Sequence, residues 1–170
     1  GLGFNRAAIF LFDERADELT GQLGIGNISP SDADRDWDEH ARSGREDFRR
    51  YHDLLEQQRI TLTPVGERVR TLRLRLGPPN SDPFAQVVHW NNWQIVHPEE
   101  FGSLPVGFVG ALQPSTDLAV VPLLGHGRAI GMLVADNKFT REPITHELID
   151  SLLAFANTTA GAIETHMLIA

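Results

Sequence analysis

The side chains of this chain that could do chemistry include seven histidines. Histidine binds metals and haem iron, and it changes charge near neutral pH. No two of the seven stand four residues apart with a carboxylate base between them, which is the pattern of a zinc hydrolase. His89 and His97 flank Trp90 and Trp93, and they could line a cavity and coordinate iron. Because a lone histidine beside aromatic side chains is more often ordinary packing, the sequence does not favour haem.

Four arginines stand between positions 68 and 75, and a single acidic residue, Glu67, lies beside them. If this segment is a strand, Arg73 and Arg75 point to one face, where two guanidinium groups suit an anionic ligand. The alternative is an exposed edge strand whose charges prevent aggregation, and we favour this second interpretation.

Composition excludes several kinds of site. The chain has 170 residues, a net charge of −8 and no cysteine. Disulfides, thiolate metal sites, iron–sulfur clusters, thiol nucleophiles and thioether-linked bilins all require cysteine. The acidic balance argues against nucleic-acid binding, and no apolar run approaches the roughly 20 residues of a membrane span. No arrangement of Ser, His and carboxylate stands out, so we predict no metal site and no catalytic residue.

The elements that must position these side chains begin with an antiparallel strand pair over residues 6–13 and 19–25. A helix is predicted from Ser31, because acidic residues in its first turns suit the helix dipole. Residues 59–76 fit both a helical stripe and an alternating strand. We predict a strand near 70–76, since a glycine and two prolines end it abruptly.

The second half of the chain continues the alternation of helices and strands. In order, its sequence predicts a helix over 83–91, a strand over 94–97, a loose helix or loop over 104–112, a β-hairpin over 118–124 and 129–135, and a helix from Thr145 to the end. This order predicts a single α+β domain over residues 1–170, with an antiparallel sheet of about five to six strands flanked by helices.

Two adjacent stripes run along the C-terminal helix, and one of them is apolar throughout. Its members include Ile149, Leu153, Ala156, Ala160, Ile163 and Met167. One stripe suffices to dock a helix on a sheet, so the second implies a further partner, most simply another helix. We therefore predict that these six residues form a homodimer interface.

Residues 118–168 resemble the end of a GAF domain. LAVVPLLGHGRAIGMLVADN and THELIDSLLAFANTTAGAIETHML are similar to the family's Val-Pro-Leu strand, its Gly-Val-Leu-Val-Asp-Asn strand and a helix carrying Leu-x-x-Phe-Ala and Ala-Ile-Glu. Residues 6–12, preceded by Gly3-Phe4, are similar to the family's first strand. The resemblance implies a GAF-like fold, with 27–117 as the variable region that houses a ligand or an insertion.

The same resemblance implies a cytoplasmic sensory module that is not itself catalytic. Such modules commonly stand before a histidine kinase of a two-component system, a cyclic-dinucleotide enzyme, a phosphatase or a transcription activator, and they dimerise through terminal helices. The missing initiator methionine indicates a domain cut from a longer protein. The methionine sulfoxide reductase activity of some relatives depends on cysteine and is excluded. Asn137-Lys138-Phe139 matches the start of a cyclic-nucleotide signature, but its Asp-Glu pair is absent, so we favour a structural turn.

An apolar and aromatic middle section favours a small-molecule pocket of unknown ligand. The residues predicted to bind that ligand are Arg73, Arg75, Trp90, Trp93, His97, Phe108 and Asp117. The leading hypothesis is therefore a sensory domain that binds a small molecule, dimerises and controls an output domain. The alternative is a ligand-free dimerisation or relay module whose core side chains fill the pocket. A well-formed cavity would favour sensing, and a filled one would favour relay.

Overall fold

The computed structural model describes residues 3–29 and 63–169, with side chains up to Thr165. The helix predicted from Ser31 lies outside the described residues. Within them, the predicted strands and later helices occur in the predicted order, one further helix lies over Pro64–Val69, and the predicted α+β class with an antiparallel sheet is confirmed.

Six strands form one antiparallel sheet in the described part of the chain. They are β1 (Arg6–Asp13), β2 (Glu18–Ile25), β3 (Arg73–Arg75), β4 (Gln94–Val96), β5 (Leu118–Gly125) and β6 (Arg128–Asp136). Their order across the sheet is β3-β2-β1-β6-β5-β4, so the first strand and the last strand of the chain pair at the centre. His126 and Gly127 close the β5–β6 hairpin with φ of 50° and 76°, the left-handed backbone that a two-residue turn requires.

Four α-helices accompany the sheet in the described ranges. They are α1 (Pro64–Val69), α2 (Pro83–Trp90), α3 (Val106–Leu112) and α4 (His146–Ile169), with a 3₁₀ helix over Pro98–Ser103. Asp82 caps α2 by accepting hydrogen bonds from the backbone N–H groups of Phe84 and Ala85 at 2.8 and 3.0 Å. The ambiguous segment 59–76 thus contains both structures that its pattern allowed, a short helix and then a three-residue strand.

The two faces of the sheet carry different helices. On one face, which we call the α1–α3 face, three aromatic rings interlock at the centre of the core. The ring centroids of Phe84 and Phe108 lie 4.8 Å apart in an edge-to-face arrangement, and those of Phe10 and Phe108 lie 6.2 Å apart. These rings and the aliphatic side chains around them are buried in a single cluster.

The other face of the sheet, the α4 face, is covered by the C-terminal helix. Ile149, Leu152, Ala156 and Ala160 are buried against strand residues such as Leu133. The Thr145 hydroxyl accepts a hydrogen bond from the backbone N–H of Leu148 at 3.2 Å, so Thr145 caps this helix at the place where the sequence predicts its start. The small alanines let the helix axis approach the sheet closely.

Candidate functional site

The aromatic residues predicted to bind a ligand lie in three different environments. Phe108 is fully buried in the core of the α1–α3 face. Trp90 ends α2 with 62% of its surface exposed. Trp93 is half-buried and packs with the cluster on the α4 face. These three side chains therefore do not line one site.

Arg73 and Arg75 lie on the α4 face of β3, at the edge of the sheet. Leu74 between them is buried in the core of the α1–α3 face, and successive side chains of a strand alternate between faces. The two arginines are thus on the opposite side of the sheet from Phe108. Both are exposed at a sheet edge, which supports the edge-strand interpretation.

His97 and Asp117 are the predicted pair that the fold brings into contact. His97 follows β4 and Asp117 precedes β5, and the pairing of Val96 with Leu118 places them side by side. His97 Nδ1 lies 2.9 Å from Asp117 Oδ1 at the protein surface. The hydrogen bond and charge of Asp117 raise the pKa of His97 above 6.5, and the carboxylates of Glu100 and Glu99 add to this effect.

A second polar pair, which we did not predict as a site, is buried inside the molecule. Arg6 and Asp136 are register partners of β1 and β6, and they are 5% and 3% exposed. The Arg6 Nε and Nη2 atoms donate to the two carboxylate oxygens of Asp136 at 3.0 and 2.7 Å. This two-pronged geometry compensates both charges for their removal from water. In the sequence, the feature that could have indicated this buried pair is an arginine at the start of a mostly apolar strand.

Cationic side chains also gather at the carboxyl end of α3. Arg6 Nη1 donates to the carbonyl oxygen of Leu112 at 2.7 Å, and Arg68 Nη1 donates to that of Ala111 at 2.8 Å. Lys138 Nζ donates to the carbonyl oxygen of Gln113. The last carbonyls of a helix lack partners within the helix and carry its negative end, so cations are favoured there. Burial, Arg6 and Arg68 lower the pKa of Lys138, and Asp136 opposes that shift.

The Asn137-Lys138-Phe139 segment forms a turn that is fastened to the start of β1. Asn5 Oδ1 accepts from the backbone N–H groups of Phe139 and Thr140 at 3.1 and 3.0 Å. Asn137 Oδ1 accepts from the backbone N–H of Asn5 at 3.1 Å. These contacts agree with the structural role that we favoured for this segment.

A small cleft opens beside the Arg6–Asp136 pair on the α1–α3 face. Its volume is about 10 Å³, and its apolar lining includes Val65, Phe108 and Leu112. That volume is roughly what one water molecule needs, whereas pockets for small ligands span about 300–1,000 Å³. Across residues 3–29 and 63–165, no three His, Asp or Glu side chains are grouped so that they could hold a metal ion.

The stripe predicted to form a dimer interface faces the sheet. Ile149, Ala156 and Ala160 are buried within the chain, and Leu153 and Ile163 pack partly against the same cluster. The side chain of Met167 lies outside the described part. Leu152, from the neighbouring stripe, is buried too, so residues of both stripes pack against the sheet. Whether the chain dimerises stays a prediction.

Several solved structures share this fold, and some of them are GAF domains. Residues 122 to 287 of a methyl-accepting chemotaxis protein match with a TM-score of 0.62 at 16% identity, covering 99% of this chain and 82% of that one. The GAF domain of a phosphoenolpyruvate-protein phosphotransferase from Coxiella burnetii matches with a TM-score of 0.60 at 12% identity, covering 98% and 76%. Free methionine-R-sulfoxide reductase from Neisseria meningitidis matches with a TM-score of 0.56 at 17% identity, covering 99% and 72%.

No family model matches the sequence, and no curated protein matches it either. The solved structures confirm the resemblance to the GAF family at the level of the fold, and this chain has the α+β fold of GAF domains. Within residues 3–29 and 63–169, none of the helices has the length and apolar character needed to cross a bilayer.

Proposed function

We propose that this chain is a non-catalytic regulatory GAF domain of a bacterial signalling protein, and that it relays a signal through α4 to an attached output domain. The observation that carries the proposal is the close packing at the centre of the α1–α3 face in residues 3–29 and 63–165. Phe10, Phe84 and Phe108 occupy the centre of that face, and the cleft beside them has a volume of about 10 Å³. A core of this kind supports relay more than the binding of a sizeable ligand.

The neighbouring structures support a role in signalling. One of them comes from a methyl-accepting chemotaxis protein and another is the GAF domain of a phosphotransferase. A third is a free methionine-R-sulfoxide reductase. The resemblance to the GAF family implies that this activity depends on cysteine, and the sequence has none. We therefore place any catalytic activity in the output domain, with a histidine kinase as one candidate, and the domain itself in the cytoplasm.

Dimerisation belongs to the same proposal, because relay through a helix requires a partner against which the helix can move. The accessible surface of α4 lies on the side away from the sheet and includes Ala154, Thr158 and Gly161. These small side chains allow another helix to approach closely. We infer a homodimer that uses this side of α4, while Ile149, Ala156 and Ala160 hold α4 to the sheet.

Sensing of a small molecule is the second candidate function. It is favoured by the convergence of one buried charged pair, Arg6 and Asp136, on a cleft that is otherwise apolar. A molecule no larger than a water or a diatomic gas would fit without rearrangement of the core.

Native mass spectrometry and sedimentation of the purified chain test the two candidates. Relay predicts a particle of about twice 18.9 kDa that carries no bound molecule. A monomer at all concentrations up to about 100 μM would contradict the dimeric relay, since weak homodimers assemble in that range. A stoichiometric small molecule that survives purification would instead establish sensing.

A further inference from the structure

Three cationic side chains hold three successive carbonyl groups at the end of α3. We call Arg6, Arg68 and Lys138 the cation cluster; they donate to the carbonyl oxygens of Leu112, Ala111 and Gln113 respectively. Each cation comes from a different part of the fold, namely β1, α1 and the connection after β6. The end of α3 is therefore fastened to three elements at once.

The helix that is fastened in this way is short and is anchored in the core on one side only. It has seven residues, too few for a stable isolated helix. Phe108 and Leu112 anchor its inner side in the core, whereas Val106 at its start is 87% exposed. The cation cluster fixes the carboxyl end of α3. The carbonyl groups there have no partners within the helix, and the three cations supply hydrogen bonds to them.

Two members of the cation cluster, Arg6 and Lys138, also form hydrogen bonds with Asp136, at the start of the connection to α4. Arg6 is paired with Asp136, the last residue of β6, and Asp136 Oδ1 accepts from the backbone N–H of Lys138 at 3.3 Å. The connection that follows is tied by Asn137 Nδ2, which donates to the carbonyl oxygen of Glu142 at 3.2 Å. Four residues later α4 begins at His146. A continuous set of hydrogen bonds therefore joins the end of α3 to Glu142, four residues before α4 begins.

We propose that the cation cluster is a joint that couples the position of α3 on one face of the sheet to the connection that begins α4 on the other. The inference rests on the proposed function, in which α4 carries the signal. A displacement of the end of α3 must either break the bond of Lys138 to Gln113 or move the connection with it.

Hydrogen exchange of the whole chain, followed by mass spectrometry, tests this coupling with Arg68→Met. Arg68 belongs to α1 and contacts α3. Loss of its positive charge by itself would favour the Lys138 ammonium, so faster exchange in the connection after β6 would point to transmission through α3 and the rest of the cluster. Loss of one solvent-exposed hydrogen bond predicts roughly two- to tenfold faster exchange in 106–113 and also in 137–148. Arg70→Met, a change of the same kind at an exposed position two residues away, should leave both segments unchanged.

Faster exchange in 106–113 alone would overturn the coupling and leave Arg68 as a local helix cap. No change in either segment would overturn it as well. Lys138→Met gives a second measurement, because it should loosen the same two segments, and Lys138→Arg should restore them by keeping a cation at this place. Sedimentation of each variant reports the oligomeric state separately, so failure of the joint is distinguishable from failure of the proposed function.

Discussion

At the scale of single residues, the pair of Arg6 and Asp136 is an ion pair buried in the core. Both side chains are almost completely buried, and two hydrogen bonds align the guanidinium with the carboxylate. Removing one partner of such a pair leaves an uncompensated charge in the core, which costs far more than the intact pair contributes.

We expect Arg6→Met to lower the free energy of unfolding by about 3–5 kcal/mol, because Asp136 would remain buried without its partner. Urea denaturation measures this as a shift of the midpoint at an unchanged slope. The double variant with Asp136→Leu should recover part of the loss, since it removes the stranded charge. Equal losses in the single and the double variant would show that the loss came from packing.

The surface pair of His97 and Asp117 predicts a dependence on pH. The pKa of His97 is raised above 6.5 mainly by Asp117, so the pair stabilises the folded state fully below pH 6.5. This contribution is lost as the pH rises through the pKa of His97 in the folded state. We expect Asp117→Asn to move that pKa back toward 6.5, as measured by NMR titration, and to reduce Tm at pH 5.5 more than at pH 8.5.

A matched variant separates the neighbours of His97. Glu99→Gln should move the same pKa in the same direction by less, because the charge of Glu99 is the smallest of the contributions that raise it. A pKa of His97 that is unchanged in Asp117→Asn would contradict the contact seen between β4 and β5.

At the scale of elements, the packing of α1 on the sheet depends on a glycine. A Cβ atom at Gly21 of β2 would lie 1.8 Å from the carbonyl oxygen of Val69, which is backbone and cannot rotate away. The backbone N–H of Gly21 also donates to the carbonyl oxygen of Leu72 at 2.9 Å. The close approach of helix and strand therefore requires the absence of a side chain here.

We expect Gly21→Ala to lower the free energy of unfolding by about 1–3 kcal/mol, because α1 must shift to admit the methyl group. Gly110→Ala is the matched control on α3. Its Cβ would meet no atom within 4 Å, and alanine is the better helix former, so we expect a gain of about 0.5–1 kcal/mol. Thermal unfolding compares the two, and a loss of stability in Gly110→Ala would mean that this side of α3 is covered.

At the scale of the whole molecule, α4 presents one side to the sheet and the other to its surroundings. Ala154 is exposed, whereas Ala156, two residues along, is completely buried. A substitution at Ala156 therefore tests the folding of the chain, and one at Ala154 tests its association.

We expect Ala154→Glu to leave Tm within about 2 °C of the parent, since an exposed substitution changes stability by less than about 0.5 kcal/mol, and to shift the sedimenting particle to a monomer. Ala156→Glu should unfold the domain, because the carboxylate would be buried against the sheet without a partner. A dimer that persists in Ala154→Glu would place the interface elsewhere on the chain.

The candidate site was predictable only in part. The pairing of His97 with Asp117 follows once the strands that flank them are adjacent, and the antiparallel register then sets them side by side. Arg73 and Arg75 were predicted to share a face, and they do, but the sheet turns that face away from the aromatic core. Periodicity specifies which residues of a strand share a face, and it does not specify which face of the sheet is covered by which helix.

The amino-acid sequence by itself determined most of the elements, the starts of α2 and α4, the tight β5–β6 turn and the exclusion of thiol chemistry, because each of these depends on residues close in the chain or on composition. It left open whether 59–76 is helix or strand and whether 104–112 is helix or loop. Only the tertiary structure decided that both stripes of α4 are used against the sheet. It also brought positions 6, 68 and 138 to the end of one short helix. Such contacts arise from strand order and register, which local patterns along the chain do not contain.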